Sequence, residues 1–290
     1  MSELEYEVVD VFTDRPFTGN PLAVVFGADG LSGEQLQAIA SEFNLSETVF
    51  VLPPTAADAT YRVRIFTPVA ELPFAGHPSV GAAVTQLRRG AVAAGTVVQE
   101  CGAGLLRIAV SEAGTATLTG GEPTVGPELD PAPLLAAVGL GEKDFAGPPP
   151  RSAGCGLEFP FLSVVPDAVA RAACDAAASR LARVSQVCVF AWSAADRTAH
   201  TRVFVPALGV PEDPATGSAA LGFGVWLVAS GLLPGEDVSA YSIRQGVEMH
   251  RPSTLDCTVT AEGGRAIAAT VTGHVVPIAA GRIGVPPFVG

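Results

Sequence analysis

The chain is poor in charged side chains and lacks several features on which common enzyme chemistries depend. Charged residues make up 16% of its 290 residues, and its one lysine, Lys143, lies in the polar segment GEKDFAGPPP. A Schiff-base lysine must be desolvated in a pocket, so chemistry based on pyridoxal phosphate is not expected. The sequence also has no GxGxxG or Walker loop after a strand and no GxSxG motif. These absences argue against a nucleotide-binding loop and against a serine hydrolase of the α/β type.

Basic residues are scarce as well. The 17 Lys and Arg residues are outnumbered by 29 Asp and Glu residues, which gives a net charge of -12. The basic residues are scattered along the chain, and repulsion from phosphate groups would oppose binding to nucleic acid. We therefore expect no nucleic-acid partner.

Cysteine and histidine form no recognisable metal motif. The five cysteines include no CxxC pair and no Cys/His pair at metal-ligand spacing, which favours reduced thiols in a protein core. The four histidines are far apart and lack clustered carboxylates, so no metal site is predicted. The first residues, MSELEYEVVDVF, are acidic where a secretory leader would be basic, and we expect a cytoplasmic protein.

Long hydrophobic runs are also missing. The longest, SAALGFGVWLVASGLL at 218–233, is interrupted by Gly and Ser and is shorter than the roughly 20 residues that span a bilayer. No membrane role is expected. A helix that is apolar on all sides must be buried on all sides. The run therefore predicts a core helix wrapped by a sheet.

Two halves of the chain repeat each other. PLAVVFGADG aligns with PFLSVVPDAV, and LSETVFV aligns with VSQVCVF, both at a separation of 139 residues. RIFTP aligns with RVFVP at 138 residues, and HPSVGAA aligns with DPATGSA at 136 residues. Because order, residue type and separation agree, we predict a pseudo-two-fold pair of units. Each unit would have the order strand, helix, strand, strand, loop, helix.

Local composition predicts the elements within each copy. The β-branched runs LAVVF, ETVFVL and YRVRIF indicate strands. Leu36 and Ile39 begin a helical spacing that an alanine-rich stretch at 172–182 matches in the second copy. The alternating segments at 106–120 and 255–273 indicate hairpins.

The two lobes are expected to meet in a proline-rich stretch. Residues 120–133 include four prolines and show no periodicity, as linkers do. We place a first lobe at 1–122 and a second at 123–290. The last strand is a candidate to cross back to the first lobe.

The copies differ at positions where chemistry is expected. Glu47 aligns with Gln186, His77 with Asp213, and Ala82 with Ser218. Each residue also has a purely structural interpretation. Glu47 could be an exposed or capping group, His77 a turn residue bonded to a carbonyl, Asp213 an N-cap, and Ser218 a small core residue.

The motifs GHPSVGAA and DPATGSAA strengthen the functional interpretation. Each would present free backbone N–H groups at a helix N-terminus, where a substrate carboxylate can bind. If Glu47 lies near that anion and against an apolar wall, its protonated form is favoured, because burial and a neighbouring negative charge both disfavour the carboxylate. Proton exchange near neutral pH would then be feasible, which is general acid/base chemistry.

Four motifs together carry a family resemblance that covers most of the chain. DVFTDRPFTGNPLAVV, EFNLSETVFV, RIFTPVAELPFAGHPSVGAA and EDPATGSAAL resemble the PhzF family of phenazine-biosynthesis-like isomerases, which has the diaminopimelate epimerase-like fold. The resemblance implies an α+β fold of two pseudo-symmetric lobes. Each lobe would be a mixed β-barrel around a central helix, with the active site in the cleft between them. It also implies a homodimer.

The resemblance further implies a cofactor-independent isomerase in which a glutamate moves a proton between carbons of a small carboxylate-bearing substrate. In the phenazine enzyme that substrate is trans-2,3-dihydro-3-hydroxyanthranilate. Glu47 matches the glutamate. The matches to its catalytic partners and to the substrate-binding groups are His77, Asp213, Ser218, the amides of Gly76 and Gly217, and Asn20 in the same region.

Two departures bear on the chemistry. Relatives that racemise amino acids use a pair of cysteines at the two loop–helix junctions, and these junctions contain none here, which disfavours thiol chemistry. Cys101 lies outside both junctions and is interpreted as structural. His250 stands where the family more usually has glycine before RPS, either lining the cleft or exposed, and the exposed position is favoured.

Two other functions remain open on this sequence. The same residues could serve hydrolytic or C–C bond-cleaving chemistry in secondary metabolism, which would change the mass of the product. A binding protein for small acids would hold such a ligand without exchanging its protons with solvent.

Overall fold

A computed structural model describes residues 2–206 and 210–287, and it divides the chain into two compact units. The first unit runs to Leu118 and resumes at Thr272, and the second extends from Thr119 to Val271. One long strand, β17 (Arg265–Gly284), contributes to both.

Among its described residues, the first unit contains eight further strands and two helices. They are β1 (Glu3–Val11), β2 (Asn20–Phe26), α1 (Gly33–Phe43), β3 (Glu47–Leu52), β4 (Tyr61–Phe66), β5 (Glu71–Leu72), α2 (Gly76–Arg88), β6 (Gly95–Cys101), β7 (Gly104–Ser111) and β8 (Thr115–Thr119).

The strands of the first unit close into a barrel around α2. Pairing runs from β17 through β1, β2, β3, β4, β6, β7 and β8 back to β17. Residues 76–86 of α2 are all buried, and the helix packs against β1, β2, β3 and β7. The predicted barrel around a central helix is therefore confirmed in this unit.

Helix α1 covers the outside of the barrel and shows why its sequence is helical. Ser32 and Gln35 form a capping box at its start, and Asn44 in the left-handed conformation ends it. Leu36, Ile39 and Ala40 are buried at helical spacing. The helix packs against β3 and β4 and so positions the first residue of β3, Glu47.

The second unit contains four helices and eight strands besides its share of β17, in the described part of the chain. They are β9 (Thr124–Glu128), α3 (Pro131–Ala137), β10 (Arg151–Gly154), β11 (Glu158–Ser163), α4 (Pro166–Arg171), α5 (Ala176–Ala182), β12 (Val187–Ser193), β13 (Thr198–Val205), β14 (Val210–Asp213), α6 (Gly217–Ala229), β15 (Asp237–Gln245) and β16 (Ser253–Glu262).

The second unit repeats the pairing order of the first. From β10 to β16 the pairs are antiparallel, parallel, antiparallel, antiparallel, parallel and antiparallel, as from β1 to β7. Helix α6 is buried from 217 to 228 and packs against β9, β10, β11 and β16. The expected core helix is confirmed, and it ends before Gly231, whose φ of +70° breaks the helix.

Two predictions from composition need correction. The proline-rich stretch 120–133 is not a plain linker, because β9 lies in it and pairs with β10. The alanine-rich stretch 172–182 is not one helix, because α4 ends at Arg171 and α5 begins at Ala176. No helix in residues 2–206 and 210–287 is long and apolar enough to cross a membrane.

Candidate active site

Three of the predicted residues meet in the first unit. The Oε2 atom of Glu47 lies 3.2 Å from Nδ1 of His77, and Nδ2 of Asn20 lies 3.3 Å from the same nitrogen. The side chains of His77 and Glu47 are 3% and 15% exposed, and Asn20 is fully buried. Glu47 is therefore not the exposed carboxylate that the structural interpretation required.

Local structure explains how these three residues come together. Glu47 begins β3 opposite Leu22 of β2, and Asn20 begins β2 itself. Gly19 turns the chain into β2 with a φ of +69°, and a Cβ there would lie 2.4 Å from the carbonyl oxygen of Val11. Only glycine fits this turn, so Gly19 fixes where Asn20 lies.

Burial decides the charge of the histidine. Desolvation lowers the pKa of His77 to about 3, and it outweighs a hydrogen bond to the Pro21 carbonyl that raises the pKa. At neutral pH the imidazole is uncharged. Its approach to Glu47 is therefore a contact within hydrogen-bonding distance and not an ion pair.

The neutral ring limits how protons are arranged between His77 and Glu47. A neutral imidazole carries one proton, on Nδ1 or on Nε2. When Nδ1 is unprotonated it can accept one hydrogen bond, and Nδ2 of Asn20 at 3.3 Å is a donor for it. Oε2 of Glu47 lies 3.2 Å from the same nitrogen, which places a carboxyl oxygen beside an uncharged base in a buried site.

A separate group of site residues lies in the second unit. Asp213 ends β14 and is buried, and the hydroxyl of Thr216 donates a hydrogen bond of 2.6 Å to its Oδ2. Thr216 immediately precedes α6, so Asp213 is not the N-cap of that helix as its structural interpretation held. Ser218, the second residue of α6, is also buried.

Each buried helix starts on one of the predicted glycines. Gly76 is the first residue of α2 and Gly217 the first of α6. The preceding residues, Ala75 and Thr216, make no side-chain cap to their helix. The first backbone N–H groups of a helix have no partner within it, so both starts can bind an anion.

The helix starts correct the alignment of the two copies. Both helices have 13 residues, which makes His77 equivalent to Ser218 and not to Asp213. The sixth residue of each helix, a glycine, supports this equivalence. A Cβ on Gly81 of α2 would lie 2.4 Å from a side-chain atom of β2. On Gly222 it would lie 2.7 Å from a backbone oxygen of β10. Both helices thus approach a strand of their own unit closely at the sixth residue.

Sequence reasoning missed two polar residues beside Asp213. Gln245 is 2% exposed, and its amide donates to the main-chain oxygen of Asp213 at 2.7 Å and to Oγ1 of Thr216 at 3.0 Å. Thr216 belongs to the DPATG motif and Gln245 begins QGVEMHRPS. The sequence shows both motifs, but it does not show that they are in contact in the fold.

Two other residues stand as the sequence suggested. His250 is exposed, as favoured, with a φ of +57° that glycine adopts more easily than histidine. Cys101 ends β6, and burial raises the pKa of its thiol, which keeps it protonated at neutral pH. Among the described residues, no group of three or more His, Cys, Asp or Glu is arranged to hold a metal ion.

Comparison with known proteins shows the family to which the chain belongs. Residues 9–281 match the model of a family described as phenazine biosynthesis-like protein. A trans-2,3-dihydro-3-hydroxyanthranilate isomerase of Pseudomonas aeruginosa is 38% identical over 96% of the chain and 98% of its own length. An uncharacterised isomerase of Mesorhizobium japonicum is 37% identical over 98% of the chain and 99% of its own.

A solved structure shares the fold. A phenazine biosynthesis protein of Bacillus anthracis, assigned to the PhzF family, superposes with a TM-score of 0.87 at 24% identity, covering 98% of this chain and all of the other. At that identity the likeness shows the fold alone. The fold is the diaminopimelate epimerase-like fold that the resemblance implied.

Proposed function

The chain belongs to the family of phenazine biosynthesis-like proteins and is an isomerase, and we propose that it moves a proton between carbons of a small carboxylate-bearing substrate with Glu47 as acid and base. The observation that carries this proposal is the buried contact of 3.2 Å between Glu47 and a neutral His77. General acid/base groups typically contribute about a hundred- to ten-thousand-fold to a rate.

The remaining residues have supporting roles in this proposal. His77 shares the proton with Glu47, and Asn20 orients the imidazole through its contact of 3.3 Å. In the first unit the backbone amide at Gly76, which begins α2, is proposed to bind a substrate carboxylate, and in the second unit the amide at Gly217, which begins α6, is a further candidate for an anion. Ser218 adds a hydroxyl donor beside the second of these amides. Asp213, fixed by Thr216, takes part in the same reaction by orienting the substrate.

Proton transfer to and from carbon is tested directly in heavy water. The protein is incubated with trans-2,3-dihydro-3-hydroxyanthranilate, the substrate that the name of the P. aeruginosa relative states, and with other cyclic and amino carboxylic acids. We expect an isomer of unchanged mass in ordinary water and incorporation of deuterium in heavy water. The Glu47→Gln variant should fold and incorporate none.

Other outcomes would overturn the proposal. A product of changed mass in ordinary water would indicate bond cleavage, and tight binding without deuterium exchange would indicate a binding protein. Exchange by Glu47→Gln at the wild-type rate would refute the role of Glu47. We also propose a cytoplasmic homodimer, for which light scattering should give twice the mass of the chain.

A further inference from the structure

We propose that Gln245 is a positioning residue whose amide, acting through Thr216, holds the carboxylate of Asp213 as a hydrogen-bond acceptor for substrate. This inference rests on the proposed function, since it concerns the residue that we expect to orient the substrate. It assigns a role to the QG dipeptide that starts the QGVEMHRPS segment.

The hydrogen bonds around Gln245 agree with only one orientation of its amide. Its Oε1 accepts from the backbone N–H of Thr216 at 3.2 Å, and its Nε2 donates to the carbonyl oxygen of Asp213 at 2.7 Å. An N–H group requires an acceptor and a carbonyl requires a donor. The amide nitrogen must therefore face the main-chain oxygen of Asp213 and Oγ1 of Thr216.

This orientation directs the proton of the Thr216 hydroxyl. Nε2 of Gln245 donates to Oγ1 of Thr216 at 3.0 Å, so the hydroxyl proton is directed away from Gln245. Oγ1 lies 2.6 Å from Oδ2 of Asp213, a distance typical of a strong hydroxyl–carboxylate hydrogen bond. A donor to the charged form stabilises the carboxylate. Gln245 thus acts on Asp213 without touching its side chain.

Neighbouring strands hold Gln245 rigidly. It lies opposite Thr201 in β13 and Ser253 in β16, inside the sheet. The hydroxyl of Ser253 donates to the carbonyl of Pro214 at 2.9 Å. A Cβ on Gly246 would lie 2.6 Å from that same carbonyl, so the turn presses closely against the loop 213–216.

Charged residues on the neighbouring strands and in the following turn do not belong to the Gln245–Thr216 relay. They are His200 and Arg202 in β13, Glu212 in β14, Arg244 in β15, and Glu248 and Arg251 in the turn that follows it. Variants of Thr216 leave all six unchanged. A difference between such variants therefore isolates the hydroxyl.

The test compares Thr216→Val with Thr216→Ser by kcat and KM for proton exchange. Valine has the shape of threonine without its hydroxyl, and serine keeps the hydroxyl. We expect Thr216→Val to raise KM by about ten-fold with a smaller effect on kcat, because the carboxylate proposed to orient the substrate loses a hydrogen bond, whereas Glu47 is untouched. Thr216→Ser should restore the wild-type KM, and Gln245→Glu should raise KM as Thr216→Val does.

A matched control uses another hydroxyl pair in the same unit. Thr258 and Thr270 share a hydrogen bond of 2.7 Å on neighbouring strands, and Thr258→Val should leave KM unchanged. An unchanged KM in a folded Thr216→Val protein would overturn the relay. If Asp213→Asn is fully active, the proposed role of Asp213 fails instead, so the two failures are distinguishable.

Discussion

The two units support the loop before their buried helix in the same way, although the side chains at the site differ. In the first unit Nε and Nη2 of Arg64 donate to the carboxylate of Glu71 at 2.7 Å, and in the second Arg202 forms the same fork with Glu212 at 2.8 and 2.7 Å. Each guanidinium lies 5.1 Å from the ring of the phenylalanine two residues further along its strand.

A turn presses against each loop as well. In the first unit a Cβ on Gly102 would lie 2.8 Å from Cα of Pro73, and in the second a Cβ on Gly246 would lie 2.6 Å from the oxygen of Pro214. Glycine is required at both places because the backbones approach so closely. The scaffold around the helix start has therefore been kept in both copies.

The reactive groups have not been kept. The first unit combines Glu47 with His77, whereas the residue aligned with Glu47, Gln186, lies near the surface and donates to the carbonyl of Glu158. The second unit has Ser218 at the place of His77. Packing imposes the same demands on both copies, whereas the proposed chemistry needs only one proton-carrying pair. The copies are thus free to diverge at these few side chains.

The largest expected effect is the difference in kcat between substitution of Glu47 and substitution of its aligned residue, Gln186. Glu47→Gln should lower kcat by about a hundred- to ten-thousand-fold, because the group that carries the proton is lost. Gln186→Glu should leave kcat unchanged, since it alters a near-surface group of the other unit. Rates of proton exchange, measured from samples quenched at successive times, give kcat for both variants. Equal losses in the two variants would remove the distinction between the units.

The two arginine forks should differ in their contribution to stability. Arg202 is 9% exposed and lies near two carboxylates, Glu212 and Glu248, so Arg202→Met should lower the free energy of unfolding by about 3–5 kcal/mol. Arg64 and Glu71 are 30% and 43% exposed, and Arg64→Met should lower it by about 0–1 kcal/mol. Urea unfolding provides the measurement. Similar losses would contradict the difference in burial.

The buried histidine should make stability depend on pH. In the unfolded chain His77 binds a proton near its ordinary pKa of about 6.5, whereas in the folded protein its pKa is about 3. The unfolded state binds more protons in this window, so the free energy of unfolding should fall as pH falls, by up to about 1.4 kcal/mol per pH unit.

His77→Gln should reduce this slope, since glutamine does not titrate. Urea unfolding at several pH values between 7 and about 4 measures the slope. Ser218→Ala, at the equivalent position of α6, should keep the wild-type slope. A slope unchanged by His77→Gln would mean that the imidazole is not held neutral.

The smallest effect concerns the turn of the second unit. His250 has a φ of +57° and is exposed, so His250→Gly should relieve strain and raise the free energy of unfolding by about 0.5–1 kcal/mol. Proton exchange should not change. A raised KM in this variant would instead place His250 in contact with the substrate.

Local composition predicted much of the fold. The runs ETVFVL and YRVRIF coincide with β3 and β4, because β-branched and aromatic residues pack well on a pleated sheet. The alanine-rich stretch failed because tertiary contacts overrode propensity. The backbone N–H groups of Ala173 and Asp175 bond to the carbonyls of Val138 and Ala137, which breaks the helix between α4 and α5.

The alignment of the helix starts failed for a different reason. HPSVGAA and DPATGSA place Pro78 opposite Pro214. In the structure Pro78 lies in the first turn of α2, and Pro214 lies in the loop ahead of α6. Proline fits both settings because its fixed φ suits a loop as well as a helix start. The motif therefore could not tell them apart.

The sequence by itself determined the kinds of elements, which depend on the periodicity of apolar residues and on residue type, and these are local properties. It also indicated Glu47 as the acid/base candidate, through the comparison of the two copies and the family resemblance. Only the tertiary structure brought Glu47 to 3.2 Å from a histidine thirty residues later in the chain. It also placed that histidine where burial keeps it neutral, because solvent exclusion depends on what the rest of the fold packs around a side chain.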